Sequence, residues 1–394
     1  MLSDRIRQMA PSQTLELNSK IARLRSQGKN IIALNSGEPD YNTPRPIIDA
    51  ATRAMLEGRT KYTQTPGIPE LREAIARKFQ KDNGLEYGID EILVSTGAKY
   101  VLTIALQSLC NPGDEVIIPT PCWVSYVEMV KLAGGIPVLV PVREDNQLDM
   151  DKIRAAVTGK TRILLINSPN NPTGAVYPKE TMKALTALTL DRDLYLISDE
   201  VYEKLIYGST PHVSPASFSR EIRDRTITVN AFSKSYSMTG WRLGYAAGPR
   251  QIIKGMSALQ GHTVSNATSF VQWAGVTALD ECASYVEEMR LAFEERRNYL
   301  YERLTALPGI RCSFPDGAFY LFPDVSGLFG KSTGSRLIQD GPDLADYLLD
   351  EAGVALVPGT AFEAPDAIRF TYSNSMENLV EAMDRIEAAV RKLV

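Results

Sequence analysis

Thr226-Ile227-Thr228-Val229-Asn230-Ala231-Phe232-Ser233-Lys234 decides the fold and narrows the chemistry. Residues 226–229 read as a short apolar strand, and small or hydroxylated residues follow it around one lysine. A carbonyl carbon can reach a lysine so placed. Arg242, eight positions later and just past Gly240, can hold a phosphate. The two together point to a Schiff-base lysine beneath a phosphorylated cofactor. A single lysine in a loop is more often only a solvated charge, so the neighbouring strand ends must decide.

Five further apolar runs, 92–94, 115–118, 136–140, 163–166 and 194–197, alternate with helical periodicity. Continuous apolar strands separated by helices predict an α/β fold with a mostly parallel sheet covered on both faces. Helices are predicted over 14–27, 46–56 and 69–81, each stopped by a glycine (Gly28, Gly58, Gly84). A long amphipathic helix over 280–307 leads into a smaller α+β segment that ends in a helix over 376–393. The stretch 326–341, whose Gly327-Leu328-Phe329-Gly330-Lys331-Ser332 imitates the end of a P-loop without its first glycine, reads as a mobile surface loop. This organisation predicts a large domain over 46–285 and a small one from 1–45 and 286–394.

Composition removes several functions. The chain has 394 residues, 44% apolar and 23% charged, with a net charge of −4. That balance argues against a partner bound through nucleic-acid phosphates. No apolar run is long enough to span a bilayer, and the first residues lack a signal-peptide core, so a cytoplasmic enzyme without a membrane partner is expected. Four scattered cysteines and only two histidines make a disulfide framework, a metal site or a histidine-based triad hard to build.

Ligands of open parallel sheets sit beyond the carboxyl ends of the strands. After 92–94 comes Ser95-Thr96-Gly97-Ala98-Lys99-Tyr100, where free amides at a helix start can cradle a phosphate. After 115–118 comes Trp123; after 163–166, Asn167-Ser168-Pro169-Asn170-Asn171-Pro172-Thr173-Gly174; after 194–197, Ser198-Asp199-Glu200-Val201-Tyr202. Each has a bland alternative: turn chemistry, core filling, a helix cap. The collection does not. A cradle, an aromatic, an amide, a carboxylate, a phenol and a lysine at the ends of one sheet are what a phosphorylated pyridine aldehyde needs.

With these motifs the chain resembles the class I aminotransferases, pyridoxal-phosphate enzymes of fold type I. The resemblance runs from Ser36-Gly37-Glu38-Pro39-Asp40 and residues 61–72, through Asn171-Pro172-Thr173-Gly174, Ser198-Asp199-Glu200 and the Lys234 segment, to Ile368-Arg369-Phe370. It implies that Lys234 carries the cofactor and shuttles the proton, and that Asp199 pairs with the pyridine nitrogen. Asn171 and Tyr202 would bond the phenolic oxygen, and Trp123 would stack on the ring. Gly97, Ala98, Lys99, Ser233 and Arg242 would hold the phosphate. Tyr62 would reach the phosphate of a second protomer, implying a homodimer with shared sites. Arg369 would clamp the substrate α-carboxylate, with Gly37 closing over it. Ala231 stands where the family usually has Ser or Gly, so one hydroxyl contact to the phosphate is expected to be missing.

The implied reaction is a ping-pong transfer of an amino group from an amino acid to a 2-oxo acid. Pro11-Ser12-Gln13-Thr14 and Gly97-Ala98-Lys99 resemble a bacterial aspartate and prephenate aminotransferase branch, although Tyr100 stands where that branch often has Gln. This makes Lys99 and Thr14 candidates for a distal carboxylate. Prephenate or aromatic and neutral amino acids as substrates, and a β-eliminating C–S lyase on the same fold, are the alternatives. A non-catalytic regulator would need a DNA-binding module for which the chain has no room.

Overall fold

The computed structural model of the chain describes residues 2, 4–7, 9, 13–334 and 336–394. Its centre is a sheet of β1 (Ile92–Ser95), β2 (Glu115–Thr120), β3 (Ile136–Pro141), β4 (Thr161–Asn167), β5 (Tyr195–Asp199), β6 (Thr226–Ala231) and β7 (Gly244–Ala247). The order is β1-β7-β6-β5-β4-β2-β3. Strands β2 to β6 pair in parallel, and β7 runs antiparallel to both β1 and β6. Successive side chains of a strand face opposite ways. Accordingly Ile92 and Val94 join one core with Leu71, Ile75 and Val271, while Leu93 joins another with Val101, Ala105, Ile253 and Met256. Helices Pro69–Lys78 and Ser269–Glu281 thus cover one face, and Ala98–Leu109 and Arg250–Gly261 the other.

Six strands stand where the apolar runs place them. The seventh, β7, has no such run, because Gly-Tyr-Ala-Ala must leave room. A Cβ on Gly244 would lie 2.5 Å from the Ala98 amide nitrogen. The helix predicted over 69–81 ends at Lys78 and continues as a π-turn, Phe79–Asn83, closed by Gly84 at φ 65°. The long helix expected over 280–307 runs as one helix, Ala283–Thr305, and Cys282 separates it from the preceding helix Ser269–Glu281. The expected loop 326–341 instead holds a small hairpin, Ser332–Thr333 against Arg336–Leu337, tied to the C-terminus by Ser332 and Val394.

The N-terminal segment joins the C-terminal region. Ile32–Ala33 pairs in parallel with Val354–Ala355, and Ile32 and Leu34 enter a core with Leu344, Leu348, Met383 and Ile386. A second sheet, Val357–Pro358, Ile368–Thr371 and Tyr320–Leu321, carries Arg369 toward the large sheet. Among the described residues no helix is long and apolar enough to cross a membrane.

Behind β5 lies a buried polar network. Lys78 meets Glu203, Asn83 donates to Glu203 Oε2 at 2.9 Å, and His212 Nε2 lies 2.8 Å from Glu200 Oε2. The hydroxyls of Ser198 and Ser214 donate to Glu200 Oε1 at 2.8 and 2.9 Å. The network ties the helix and π-turn of 69–83 to the turn that follows Asp199.

Glu203→Ala would leave the Lys78 ammonium buried without its carboxylate. The expected loss is about 3–5 kcal/mol of unfolding free energy, read from a shifted denaturant midpoint. Burial pushes the Glu203 carboxyl up, but Lys78, His212 and Asn83 outweigh it and hold it near 2, below its ordinary 4.5. A depressed folded pKa means that the stabilisation is present above 4.5 and is lost as pH falls through about 2. A stability gap between the wild type and Glu203→Gln that fails to narrow across that window would contradict this account.

Candidate functional site

The carboxyl ends of β1, β4, β5 and β6 open onto one cavity of about 310 Å³. At its first wall β1 ends, and the chain turns at Gly97, φ +87°, into helix Ala98–Leu109. Any Cβ on Gly97 would lie 2.8 Å from Arg242 Nη2. Arg242 is itself held at φ 55°, and its Nη1 donates to the Thr239 carbonyl at 2.8 Å. A guanidinium, a helix N-terminus and the buried Ser233 therefore surround one corner of the cavity. That corner suits a dianion such as a phosphate monoester.

Opposite, β5 ends on Asp199, which is buried. Its Oδ2 accepts the Tyr126 hydroxyl at 2.6 Å, and its Oδ1 the Val201 amide at 3.3 Å. Burial raises its pKa to about 6, against the pull of those two bonds. Such a carboxylate stabilises a cationic nitrogen placed before it. Asn167, at the end of β4, donates to the Asp199 carbonyl at 3.0 Å and accepts the Asn171 amide at 2.8 Å.

Lys234 follows β6 in the four-residue helical turn Phe232–Ser235, and its amine donates to the Gly37 carbonyl. Burial first, then the positive charge of Arg369, lowers its pKa to about 8, with Glu38 opposing. About a tenth of the amine is then free base at neutral pH, far more than for an ordinary lysine, as a nucleophilic amine requires. Tyr202 and Tyr320 share a hydroxyl contact of 2.9 Å.

Arg369 is only 4% exposed. Its Nη1 donates to Asn171 Oδ1 and its Nη2 to the Asn35 carbonyl, each at 3.0 Å, while Nε has no partner. The rings of Tyr320 and Phe362 sandwich it, with centroids at 4.5 and 4.8 Å. Among the described residues no carboxylate pairs with it. Lys99 is unpaired in the same sense, its Nζ 4.9 Å over the Trp123 ring. Burial, then the charge of Arg242, lowers the Lys99 pKa.

Eleven of the sequence-predicted residues line this cavity: Gly37, Ala98, Lys99, Trp123, Asn171, Asp199, Tyr202, Ser233, Lys234, Arg242 and Arg369. Gly97 sits directly beneath Arg242. Tyr62 does not belong to this lining and is 91% exposed. The backbone of Thr14 lies in helix Gln13–Ser26; its side chain, like Pro11 and Ser12, lies outside the described residues. Ala231 lines the cavity without a hydroxyl. Sequence reasoning missed Tyr126, Asn167, Tyr320 and Phe362 as part of the site. Tyr126 stands three residues after Trp123 and Asn167 closes a strand, so both were within reach. Tyr320 and Phe362 arrive from the second sheet and its neighbouring turn, with no local signal.

The family profile described as aminotransferase class I and II matches residues 29–386. The chain is 47% identical over 387 residues to an aspartate aminotransferase of Geobacillus stearothermophilus, covering 98% of each chain. It is 44% identical over 389 residues to an aspartate/prephenate aminotransferase of Thermus thermophilus, covering 98% of this chain and 97% of that one. The crystal structure of the aspartate aminotransferase of Rhizobium meliloti superposes with a TM-score of 0.97 at 41% identity, over all of both chains. The β-sheet order, the cavity and these likenesses agree: the chain belongs to the class I and II aminotransferases, fold-type I enzymes that use pyridoxal phosphate to move an amino group between an amino acid and a 2-oxo acid.

Proposed function

We propose that the preferred amino donor is a dicarboxylic amino acid, aspartate first, and that the residues lining the cavity divide the work as follows. The observation that carries the substrate class is a pair of cations lining one cavity, Arg369 and Lys99, neither of which forms an ion pair with a carboxylate among the described residues. Unpaired charge in a dry site is costly, and two carboxylates of one substrate would relieve both. The names of the Geobacillus and Thermus relatives support the same class.

The cavity fits the cofactor. The corner at Gly97 would be filled by any Cβ, and Asp199 offers a buried carboxylate. When bound, pyridoxal phosphate supplies an aldehyde that condenses with amines and a ring that accepts the electrons of a broken C–H bond. Lys234 Nζ would hold it covalently, then take and return the proton at the substrate carbon. Asp199, held by the Tyr126 hydroxyl, would keep the pyridine nitrogen protonated. Asn171 spends its carbonyl on Arg369, which leaves its NH2 to donate to the phenolic oxygen beside the Tyr202 hydroxyl. Ser233, Arg242 and the first amides of helix Ala98–Leu109 hold the phosphate, and Trp123 covers the ring. Arg369 takes the α-carboxylate, with Gly37 above it. Lys99 would take the distal carboxylate, and Thr14 remains a candidate for the same role.

We further propose a homodimer in which Tyr62 of each protomer serves the other's phosphate, as its exposure and its place outside its own cavity suggest. The units 46–285 and 1–45 with 286–394 would act as large and small domains of a cytoplasmic enzyme. A second reading, acceptance of prephenate, rests on the name of the Thermus relative.

Three outcomes follow. Lys234→Ala is expected to lose borohydride-fixed cofactor and nearly all turnover; full activity in that variant would sink the assignment. Mixing Lys234→Ala with Tyr62→Phe protomers puts both lesions in one site and none in the other. The isolated heterodimers should therefore exceed the activity of the Lys234→Ala homodimer, and a fully active monomer at high dilution would refute the shared site. Lys99→Ser is expected to cost about 2–4 kcal/mol more in kcat/KM for aspartate and glutamate than for alanine or phenylalanine. Equal losses across those donors would remove Lys99 from the specificity site.

A further inference from the structure

Tyr62 is one of the most exposed large side chains described, yet the backbone just after it is among the most firmly tied. Two fully buried glutamines do most of the tying. Gln260, from helix Arg250–Gly261, donates through Nε2 to the carbonyls of Thr65 at 2.7 Å and Val94 at 2.9 Å. Its own amide oxygen is buried without a partner. That omission costs stability, so the side chain is placed for the two bonds that it donates. Gln272, from helix Ser269–Glu281, accepts the Ile68 amide at 2.8 Å and donates to Thr63 Oγ1 at 3.1 Å and the Ala267 carbonyl at 2.8 Å.

Other bonds continue the seam. The Val94 amide donates to the Pro66 carbonyl at 2.9 Å, and Arg72 Nη2 to Gln64 Oε1 at 2.8 Å. Gly67, at φ +104°, lies so close to β1 that a Cβ there would sit 2.7 Å from Val94 Cβ. An exposed loop gains little from such stitching for its own sake, because water satisfies its backbone as well. The anchor point is informative. Val94 lies one residue before Ser95, where β1 runs into the phosphate corner at Gly97. The loop that carries Tyr62 is thus held to the same strand that shapes the protomer's own cradle.

We propose that Gln260 and Gln272 are positioning residues for the neighbouring protomer's site: they fix the 63–68 loop on β1 so that the Tyr62 hydroxyl is presented, preoriented, to the partner's cofactor phosphate. The proposal rests on the shared-site reading above. A hydroxyl on a free loop would have to be ordered at each binding event, and that ordering would be subtracted from cofactor affinity. Held by the two amides, it is ordered at folding. Gln272 serves the loop through both ends of its amide, so it is the more sensitive of the two.

The test is a double-mutant cycle on cofactor affinity, not on turnover. Apoenzyme of the full chain is titrated with pyridoxal phosphate, and the dissociation constant is measured for wild type, Tyr62→Phe, Gln272→Leu and the double variant. Thr63→Val is added because it removes one bond of the seam at a partly exposed position, where folding is not at risk. Tyr62→Phe is expected to weaken binding about tenfold, the scale of one hydrogen bond to a charged group. Gln272→Leu should weaken it by a similar factor, and Thr63→Val by a smaller one. In a Tyr62→Phe background neither should add a further loss. Losses that multiply independently of Tyr62, or wild-type affinity in both Gln272→Leu and Thr63→Val, would overturn the positioning role while leaving the shared site intact. Wild-type affinity in Tyr62→Phe would overturn the shared site itself, and the proposal with it. Should Gln272→Leu fail to fold, Thr63→Val alone decides between these outcomes.

Discussion

Buried positive charge with no ion-pair partner among the described residues organises this molecule. Arg369 is buried between two aromatic rings with no carboxylate to answer it, and its field falls on Lys234. Burial and that field together keep the lysine amine near pKa 8. One arginine therefore has two effects: it attracts an anion and it keeps a nearby amine partly unprotonated. The effects are coupled. An anion that pairs with Arg369 removes the repulsion that had lowered the lysine, so anion binding and proton affinity at Nζ rise together.

The opposite charge is arranged with equal economy. Asp199 is buried deeply enough that its pKa climbs to about 6, and two hydrogen bonds keep it from climbing further. A nitrogen cation placed before it would restore the charged form. Behind the same turn, Glu200 and Glu203 are tied into a separate network with Lys78, Asn83 and His212. Residues of one short turn thus divide between the site, with Asp199, Val201 and Tyr202, and the scaffold, with Glu200 and Glu203. The scaffold side fixes the backbone from which Asp199 and Tyr202 project.

Much of this was legible in the sequence because it depends on local chemistry. A parallel strand buried on both faces must be apolar throughout, so the runs at 163–166 and 226–229 announce themselves, and the polar residues at their ends stand out. Where the geometry demands small residues the signal vanishes. Strand β7 is Gly-Tyr-Ala-Ala because Gly244 presses on the Ala98 amide, and no β-propensity pattern marks it. Long-range convergence is equally silent. Tyr320 and Phe362 reach Arg369 through the packing of a second sheet, and nothing near positions 320 or 362 shows which distant cation they will enclose. The glutamine seam under residues 63–68 is a third case, since a glutamine on a helix face looks the same whether it meets water or a carbonyl.

The contact between Gly244 and Ala98 has a consequence for how such a protein can change. One wall of the phosphate corner is shaped by backbone meeting backbone, where Gly244 presses on Gly97 and the Ala98 amide and admits no side chain. Lys99 and Trp123 line the same cavity through their side chains. That wall of the cofactor site and the substrate end are thus written in different materials. Exchanges at the mouth can redirect the enzyme to new amino acids while the corner at Gly97 and Gly244 stays as it is, so the fold is evolvable in one direction and fixed in the other.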